Sequence, residues 1–223
     1  MRNALIWPWV IAALLLILSV IPACADGQSF KEDYESLNGQ PVPGHTEYVY
    51  QTLLIEDRPQ AIQVSAQEAA LLDNEYAIVY MGANWCPWCR NALPSLIKAT
   101  ISEGFSCFYY VDLTEERDQF EVIGGSLVKI RESTLGYQTL LNRLDEFLTD
   151  YSVTNSEGMV YETGEKRIYL PTLAFIRNGE FISVMQPLCD PEEGKTPYDP
   201  LTESQQAWLT KSILLWLQKS AQN

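Results

Sequence analysis

The sequence predicts an α/β protein with a central mixed sheet flanked by helices. Strand and helix patterns alternate along much of the chain, and residues 76–81 form an apolar run of the length of a strand buried on both faces. Asn178 and Gly179, between two apolar runs, are a strong hairpin signal. With 223 residues, 47% of them hydrophobic, the chain can bury one core. Alternation that ends in a hairpin and a helix is typical of such a sheet.

The predicted elements up to residue 102 alternate between strand and helix. Residues 61–64 form a short strand, and Ser65 opens a helix with a capping-box pattern that runs to about residue 73. The buried strand at residues 76–81 precedes a helix over residues 86–102, which Pro94 is expected to kink. The apolar residues on one face of this helix are Leu93, Leu96, Ile97 and Ile101.

A third strand, at residues 105–113, is followed by a long insertion. The insertion covers about residues 114–168, which is too long for a plain loop in a compact domain and must hold its own structure. Apolar residues at helical spacing predict a helix over residues 135–151, and Gly124 and Gly125 suggest a mobile portion before it. The sequence therefore predicts a helical insertion between the third strand and the strand that follows Pro171.

The end of the chain predicts a hairpin and a closing helix. Residues 172–176 and 180–185 form the two strands, joined through the Asn178 and Gly179 turn. Residues 202–218 form an amphipathic helix. Its inner face carries Leu209, Ile213, Trp216 and Leu217.

Residues 1–25 have the pattern of an export signal, with Arg2, an apolar stretch and then small residues. Three outcomes are consistent with it: a lipoprotein signal with lipidation at Cys24, cleavage as an ordinary signal peptide, or retention as an uncleaved membrane anchor. Each places the remaining chain outside the cytoplasm, where disulfides persist. Residues 26–47 are polar and predict a tether, so that the globular domain covers residues 48–223.

Charge and histidine content exclude several functions. The net charge of −14 argues against nucleic acid as a partner, because phosphate binding depends on basic side chains. The sole histidine, His45, lies in the predicted tether. A chain with one histidine in that position does not readily build a Ser-His-Asp or Cys-His pair, which removes most hydrolase interpretations.

Five cysteines are present, and two of them are three residues apart. If Cys24 is a processing or lipidation site, the remaining four are Cys86, Cys89, Cys107 and Cys189. An even number is compatible with an oxidising compartment. Whether Cys107 and Cys189 pair is left open by the sequence.

Cys86 lies where a buried strand ends and a helix begins, a position at which backbone N–H groups and the helix dipole favour an anion. This position lowers the pKa of the Cys86 thiol and predicts that Cys86 is the nucleophile. Cys89, one helical turn on, can attack a mixed disulfide at Cys86 and release the product. Pro87 suits the first turn of the helix. Trp85 and Trp88 offer flat apolar surface for a polypeptide substrate.

A second predicted component of the site is formed by Leu170, Pro171 and Thr172, just before the final hairpin. A cis peptide bond at Pro171 would expose backbone groups beside the two cysteines and let a substrate chain pair with them. With the cysteine pair upstream and the hairpin directly after, the sequence predicts the cis isomer.

These motifs carry a resemblance to a known family. The sequence WCPWC at residues 85–89 after an apolar strand, with LPT at residues 170–172 ahead of a hairpin, resembles the thioredoxin superfamily. Residues 60–190 more narrowly resemble the bacteriocin-transport accessory-like thioredoxin proteins. The resemblance implies a thioredoxin fold and an extracytoplasmic thiol–disulfide oxidoreductase that acts on exported proteins or peptides. We also expect a separate redox partner, and the pattern of residues 1–25 predicts attachment to the membrane through the N-terminus.

The chain departs from thioredoxin at two positions. Thioredoxin itself carries a buried Asp on the strand before its cysteine pair and a Lys on the next strand, where this sequence has Tyr80 and Phe108. Proton transfer from Cys89 would then rely on water or another carboxylate. The Pro-Trp dipeptide between the cysteines does not decide between reductase and oxidase, because the two differ by only a few kcal/mol.

Two other interpretations of the cysteine pair are considered. A zinc site would need two further ligands at suitable spacing, which a single CxxC does not supply, so neither a metal nor a cofactor is predicted. The alternative function is a redox-silent thioredoxin-like accessory module that presents Trp85, Trp88 and Pro171 to an exported peptide or a transporter.

Overall fold

The computed structural model of the chain describes residues 27–222. The predicted export signal at residues 1–25 and the lipidation candidate Cys24 lie outside this range. Between residues 27 and 222, no helix combines the length and the apolar composition that a membrane crossing requires.

Between Gln60 and Asp112 the elements alternate between strand and helix, as the sequence predicts for this part of the chain. In chain order all the elements are α1 (Gly27–Ser36), β1 (Gln60–Gln63), α2 (Ala66–Ala70), β2 (Tyr76–Gly82), α3 (Pro87–Ser102), β3 (Cys107–Asp112), β4 (Gln119–Ile123), β5 (Ser126–Arg131), α4 (Leu135–Leu144), a 3-10 helix (Asp145–Phe147), β6 (Thr149–Thr154), β7 (Val160–Arg167), β8 (Thr172–Arg177), β9 (Glu180–Met185) and α5 (Glu203–Gln222).

Five strands form the central sheet, in the order β1-β3-β2-β8-β9. Strands β1 and β2 are both parallel to β3, whereas β8 is antiparallel to β2 and β9 is antiparallel to β8. The β8–β9 hairpin turns at Asn178 and Gly179, which both have positive φ angles, as a tight hairpin turn requires. The predicted mixed sheet flanked by helices is therefore confirmed.

Helices cover both faces of this sheet. On the first face, here called the α3 face, helices α1, α3 and α5 pack against side chains of the strands that include Ile78, Tyr80, Phe108, Tyr110, Leu173 and Phe175. On the opposite face, here called the α4 face, helices α2 and α4 pack against Ala77, Val79, Met81, Val111, Ala174 and Ile176. The two faces form because successive side chains of a strand point to opposite sides.

Local sequence signals locate the helix starts well. The Ser65 hydroxyl accepts a hydrogen bond from the Glu68 N–H at 3.2 Å, and the Glu68 carboxylate accepts one from the Ser65 N–H at 2.8 Å, which is the predicted capping box. Helix α2 ends at Ala70, three residues before the predicted end. Of the four apolar residues predicted to share one face of α3, Leu93, Leu96 and Ile97 are buried, whereas Ile101 in the last turn is 44% exposed.

The prediction of a mainly helical insertion is corrected by the structure. Helix α4 ends at Leu144, and a strand begins at Thr149 within the range predicted as helix. Two antiparallel hairpins, β4–β5 and β6–β7, flank α4. The turn of the first hairpin contains Gly124 and Gly125, both at positive φ. Burial alternates from residue to residue along β4 and β5, which is the strand period that the sequence analysis overlooks.

The predicted tether over residues 26–47 is also corrected, because residues from Gly27 onward belong to the folded domain. Helix α1 buries Phe30 and Tyr34 against the α3 face of the sheet. These two side chains are four residues apart and therefore lie on the same side of a helix. Their spacing is a signal of helix that the polar composition of the segment hides.

Candidate functional site at the start of helix α3

Cys86 is the N-cap residue of helix α3 and follows strand β2 by a short turn. Its Sγ accepts a hydrogen bond from the Cys89 backbone N–H at 3.2 Å. Pro87 occupies the first turn of the helix, where a missing N–H removes no helical bond. The predicted placement of Cys86 at a strand–helix junction is confirmed.

The surroundings of Cys86 favour its thiolate. The pKa of Cys86 lies below its usual value, first because Cys89 hydrogen-bonds its sulfur and then because the backbone N–H groups of Cys89 and Trp88 also bond to it. The positive charge of Arg117 acts in the same direction, and burial opposes these effects. Hydrogen bonds and charge that stabilise the anion are the features expected of an attacking sulfur.

The surroundings of Cys89 disfavour its thiolate. It is 0% exposed, whereas Cys86 retains 4%. Burial, followed by the hydrogen bond to Cys86 and the charge of Cys86, raises the pKa of Cys89 well above its usual value. A hydrogen bond with the Tyr80 hydroxyl acts in the other direction. The surroundings therefore shift the pKa values of the two thiols in opposite directions, down for Cys86 and up for Cys89.

The Leu170–Pro171 peptide bond is cis, as the sequence predicts. The Cys86 thiol lies 3.9 Å from the Leu170 carbonyl oxygen, so the turn before β8 adjoins the sulfur. Pro171 and Thr172 are buried, and the Thr172 hydroxyl donates a hydrogen bond to the Tyr169 carbonyl at 2.6 Å. Leu170 is half-buried, so its side chain is more accessible than those of Pro171 and Thr172.

The residues that surround Cys86 in sequence differ in exposure. Trp85 is 39% exposed, and its indole N–H donates to the Thr114 hydroxyl at 2.8 Å, which fixes the ring at the end of β3. Trp88 and Pro87 are half-buried, and Trp88 packs against the core of the α3 face. Trp85 therefore presents more of its surface beside Cys86 than Trp88 does.

Tyr80 and Phe108 are buried beside each other. The rings of Tyr80 and Phe108 have centroids 6.2 Å apart. The Tyr80 hydroxyl lies 3.0 Å from the hydroxyl of Tyr34, on helix α1. Tyr34 is missing from the residues that the sequence singles out, because it falls in the predicted tether. Its spacing from Phe30 is the signal that would have found it.

Arg90 is a second residue that the sequence does not reveal. It is 1% exposed and lies one residue after Cys89. Its guanidinium donates to the backbone carbonyls of Tyr34, Asn84 and Gln51 at 2.8, 3.1 and 2.7 Å and to the Asn38 side-chain oxygen at 2.7 Å. It thereby joins the segment after α1 to the start of α3. An arginine in an amphipathic helix ordinarily suggests an exposed side chain, so no sequence signal indicates this role.

The start of the insertion supplies the positive charge near Cys86. Burial lowers the pKa of Arg117, and the charge of Arg167 lowers it further, while the thiols of Cys86 and Cys89 act to raise it. Arg167 is itself paired with the buried carboxylate of Asp118, at 3.4 Å. The insertion therefore contributes a cation to the electrostatics of the cysteine pair, a role that no local sequence pattern indicates.

His45 lies in an aromatic group on the surface. Its ring centroid is 5.1 Å from that of Tyr48 and 5.9 Å from that of Tyr198, and the two tyrosine rings stack at 4.8 Å. Burial raises the pKa of Tyr198, and the charge of Cys86 raises it further, so this ring lies within electrostatic reach of the site.

Comparison of the chain with protein-family models, with curated proteins and with solved structures finds no match. Within residues 27–222, no group of three or more His, Cys, Asp and Glu side chains is arranged to hold a metal ion.

Proposed function

We propose that this chain is a thiol–disulfide oxidoreductase in which Cys86 and Cys89 form the redox pair. The observation that carries the proposal is the difference between the two thiols. Cys86 caps a helix and its pKa is lowered by hydrogen bonds, whereas the pKa of Cys89 is raised by complete burial. A reactive outer thiolate and a protonated inner thiol are what sequential disulfide exchange needs.

We further propose that the fold is a thioredoxin fold, with the two hairpins and α4 inserted after β3. The strand order β1-β3-β2-β8-β9, with its last two strands antiparallel, supports this assignment. So does the position of the cis bond at Pro171, next to the sulfur of Cys86 and directly before β8.

The reaction proceeds in two exchanges. The Cys86 thiolate attacks one sulfur of a substrate disulfide, a bond forms between the two sulfurs, and the other substrate sulfur leaves as a thiolate that takes a proton from solvent. Cys89 then attacks the sulfur of Cys86 and releases the second substrate thiol. The substrate disulfide gains two electrons and the two cysteines lose them. Run in reverse, the same steps give disulfide formation.

The substrates we propose are exported proteins or peptides outside the cytoplasm, because the first residues have the pattern of an export signal. Trp85, the exposed ring beside Cys86, and the backbone around Leu170 and Pro171 would hold the substrate chain. Electrons would come from or pass to a separate redox partner.

Reduction of insulin by dithiothreitol, followed by the turbidity of the precipitating chains, tests the proposal. The chain is expected to accelerate the reaction, and Cys86→Ala is expected to abolish the acceleration. Cys189→Ala is the matched control, because this half-buried cysteine lies in a loop after β9 and should leave the rate unchanged. Full activity in Cys86→Ala would contradict the proposal. Absence of acceleration by the wild-type chain would also contradict it and would favour the redox-silent accessory module, whose partner binding should survive replacement of both cysteines by serine.

A further inference from the structure

Three tyrosines lie together under the cysteine pair, on the α3 face. Tyr34, Tyr80 and Tyr110 are all at most 2% exposed. The hydroxyls of Tyr34 and Tyr80 are 3.0 Å apart, and the rings of Tyr80 and Tyr110 stack with centroids 5.6 Å apart. A buried hydroxyl without a partner is costly, so three of them in one place must bond to one another or to neighbouring groups.

Gly82 provides the room for these hydroxyls. A Cβ atom at this position would lie 2.7 Å from the Tyr80 hydroxyl oxygen and 3.2 Å from that of Tyr34. Both contacts are closer than ordinary van der Waals distance. The glycine at the end of β2 therefore lets two hydroxyls approach the backbone just ahead of the turn to Cys86.

The tyrosine group connects the inner thiol to carboxylates. At one end, the Tyr80 hydroxyl acts on the pKa of Cys89 as a hydrogen-bond partner, and both side chains belong to the same buried cluster. The Tyr34 hydroxyl lies 3.0 Å from that of Tyr80, and the Tyr34 ring centroid lies 6.0 Å from that of Tyr110. At the other end, Tyr110 lies close enough to Asp112 for the charge of that carboxylate to raise its pKa, with a smaller contribution from Asp33.

We propose that Tyr80, Tyr34 and Tyr110 conduct the proton of Cys89 to the carboxylates of Asp112 and Asp33. The inference rests on the proposed function. In it, the tyrosine hydroxyls accept and pass on the proton of Cys89, a role that a buried carboxylate would otherwise fill. Each hydroxyl accepts a proton on its oxygen and passes its own proton to the next.

The proton transfer accompanies the second exchange. As the Cys89 sulfur attacks the sulfur of Cys86, its proton moves to the oxygen of Tyr80, and one proton arrives at a carboxylate. The bond between Cys86 and the substrate sulfur breaks, and its electron pair leaves with the substrate, which takes a proton from solvent. No hydroxyl gains or loses a net proton, so the three tyrosines remain neutral.

Other charged groups also face this path. The thiol of Cys86 bonds Cys89, the charge of Arg117 acts on both cysteines, and the buried charge of Arg90 acts on Tyr34 and Tyr80. Both arginines favour departure of the proton from the centre of the site. They also set the field in which the hydroxyls are oriented, so the test compares variants that leave both arginines in place.

The test follows the full, reduced chain after mixing with oxidised glutathione. Samples are quenched in acid, and mass spectrometry of the peptide that carries Cys86 and Cys89 measures the glutathione adduct and the internal disulfide separately. In Tyr80→Phe, which keeps the ring, adduct formation should keep its wild-type rate. Conversion of the adduct should slow by about 100-fold near neutral pH, the scale of general acid–base catalysis. Its rate should then rise tenfold per pH unit, because hydroxide must take the proton.

Two further variants keep the result interpretable. Tyr34→Phe should show the same slowing, and the double variant should be no slower than either single one, because one broken link stops the path. Tyr137→Phe is the control, since it removes an equally buried hydroxyl on the α4 face that accepts a bond from the Ile168 N–H at 3.1 Å.

The outcomes separate this inference from the proposed function. A wild-type chain that forms no internal disulfide would contradict the proposed function itself. A wild-type chain that forms it, with Tyr80→Phe and Tyr34→Phe converting at the wild-type rate and pH dependence, would contradict the tyrosine path alone. Equal slowing in Tyr137→Phe would also overturn the path, because it would indicate a general effect of losing buried hydroxyls.

Discussion

The two faces of the central sheet are built from the same strands, yet their chemistry differs. The α3 face buries two thiols, the hydroxyls of three tyrosines and the guanidinium of Arg90. The α4 face is packed mainly with alanine, valine, leucine and isoleucine, and its Tyr137 hydroxyl bonds a backbone N–H. Polar groups that could react are therefore gathered on one side of the sheet.

Strand β2 shows how one sequence serves both faces. Val79 and Met81 point to the α4 face, and Tyr80 between them points to the α3 face. Side chains on the α4 face contribute mainly to stability. Changes on that face should alter the free energy of unfolding without altering the reactivity of the thiols.

The largest effect is expected from Arg90→Ala, on the α3 face. The change leaves three backbone carbonyls and the Asn38 side-chain oxygen without their charged donor. We expect the free energy of unfolding to fall by about 4 kcal/mol, measured by urea denaturation. Arg143→Ala is the control, because this arginine is 35% exposed in its pair with Glu180 and should cost below about 1 kcal/mol. Equal losses in the two variants would contradict the role of Arg90.

Leu140→Ala creates a cavity on the α4 face. Leu140 is completely buried in α4, so the free energy of unfolding should fall by about 3 kcal/mol in urea denaturation. The rate at which iodoacetamide alkylates Cys86 should stay at the wild-type value at every pH. A changed pH dependence of alkylation would show that the two faces are coupled.

Two glycine substitutions compare the faces directly. In Gly136→Ala, on the α4 side, the new Cβ would lie 2.8 Å from the backbone nitrogen of Gln67, which cannot move aside cheaply. In Gly82→Ala the close atoms belong to the ring and hydroxyl of Tyr80, at 2.7 Å. Both should destabilise the protein by about 1 to 3 kcal/mol in urea denaturation. Only Gly82→Ala should slow formation of the Cys86–Cys89 disulfide. Equal slowing in both variants would contradict the claim that only the α3 face affects the thiols.

The smallest expected effect concerns the charge that the insertion brings to the site. Arg117→Gln removes a cation that helps to lower the pKa of Cys86, so this pKa should rise. The midpoint of iodoacetamide alkylation of Cys86 should move to higher pH. Arg143→Gln, which breaks the surface ion pair with Glu180 at 3.3 Å, should leave the midpoint in place. A midpoint that falls or stays unchanged in Arg117→Gln would contradict the assigned role.

Local patterns made much of the fold predictable from the sequence. The buried strand β2, the capping box at Ser65 and the turn at Asn178 each depend on neighbouring residues alone, and each is confirmed. The placement of Cys86 at the start of a helix follows from the same kind of local signal. The cis bond at Pro171 is confirmed as well, although its prediction depends on combining two distant motifs.

The remaining features depend on contacts between distant parts of the chain. Helix α1 has a polar composition, and it is stable because Phe30 and Tyr34 reach the sheet and Arg90 bonds the residues that follow. The tyrosine group combines side chains from α1, β2 and β3, which no short stretch of sequence contains. Strand β6 lies where apolar spacing suggests a continued helix, and pairing with β7 decides against it.

The most direct test of the proposed redox pair is its reduction potential. The full chain is equilibrated in dithiothreitol or glutathione redox buffers, and mass spectrometry measures the fraction with a Cys86–Cys89 disulfide. We predict a reversible disulfide with a potential between about −270 and −120 mV, the range of catalytic CxxC pairs. A potential below about −300 mV, which is typical of structural disulfides, or no disulfide between these two cysteines, would contradict the account.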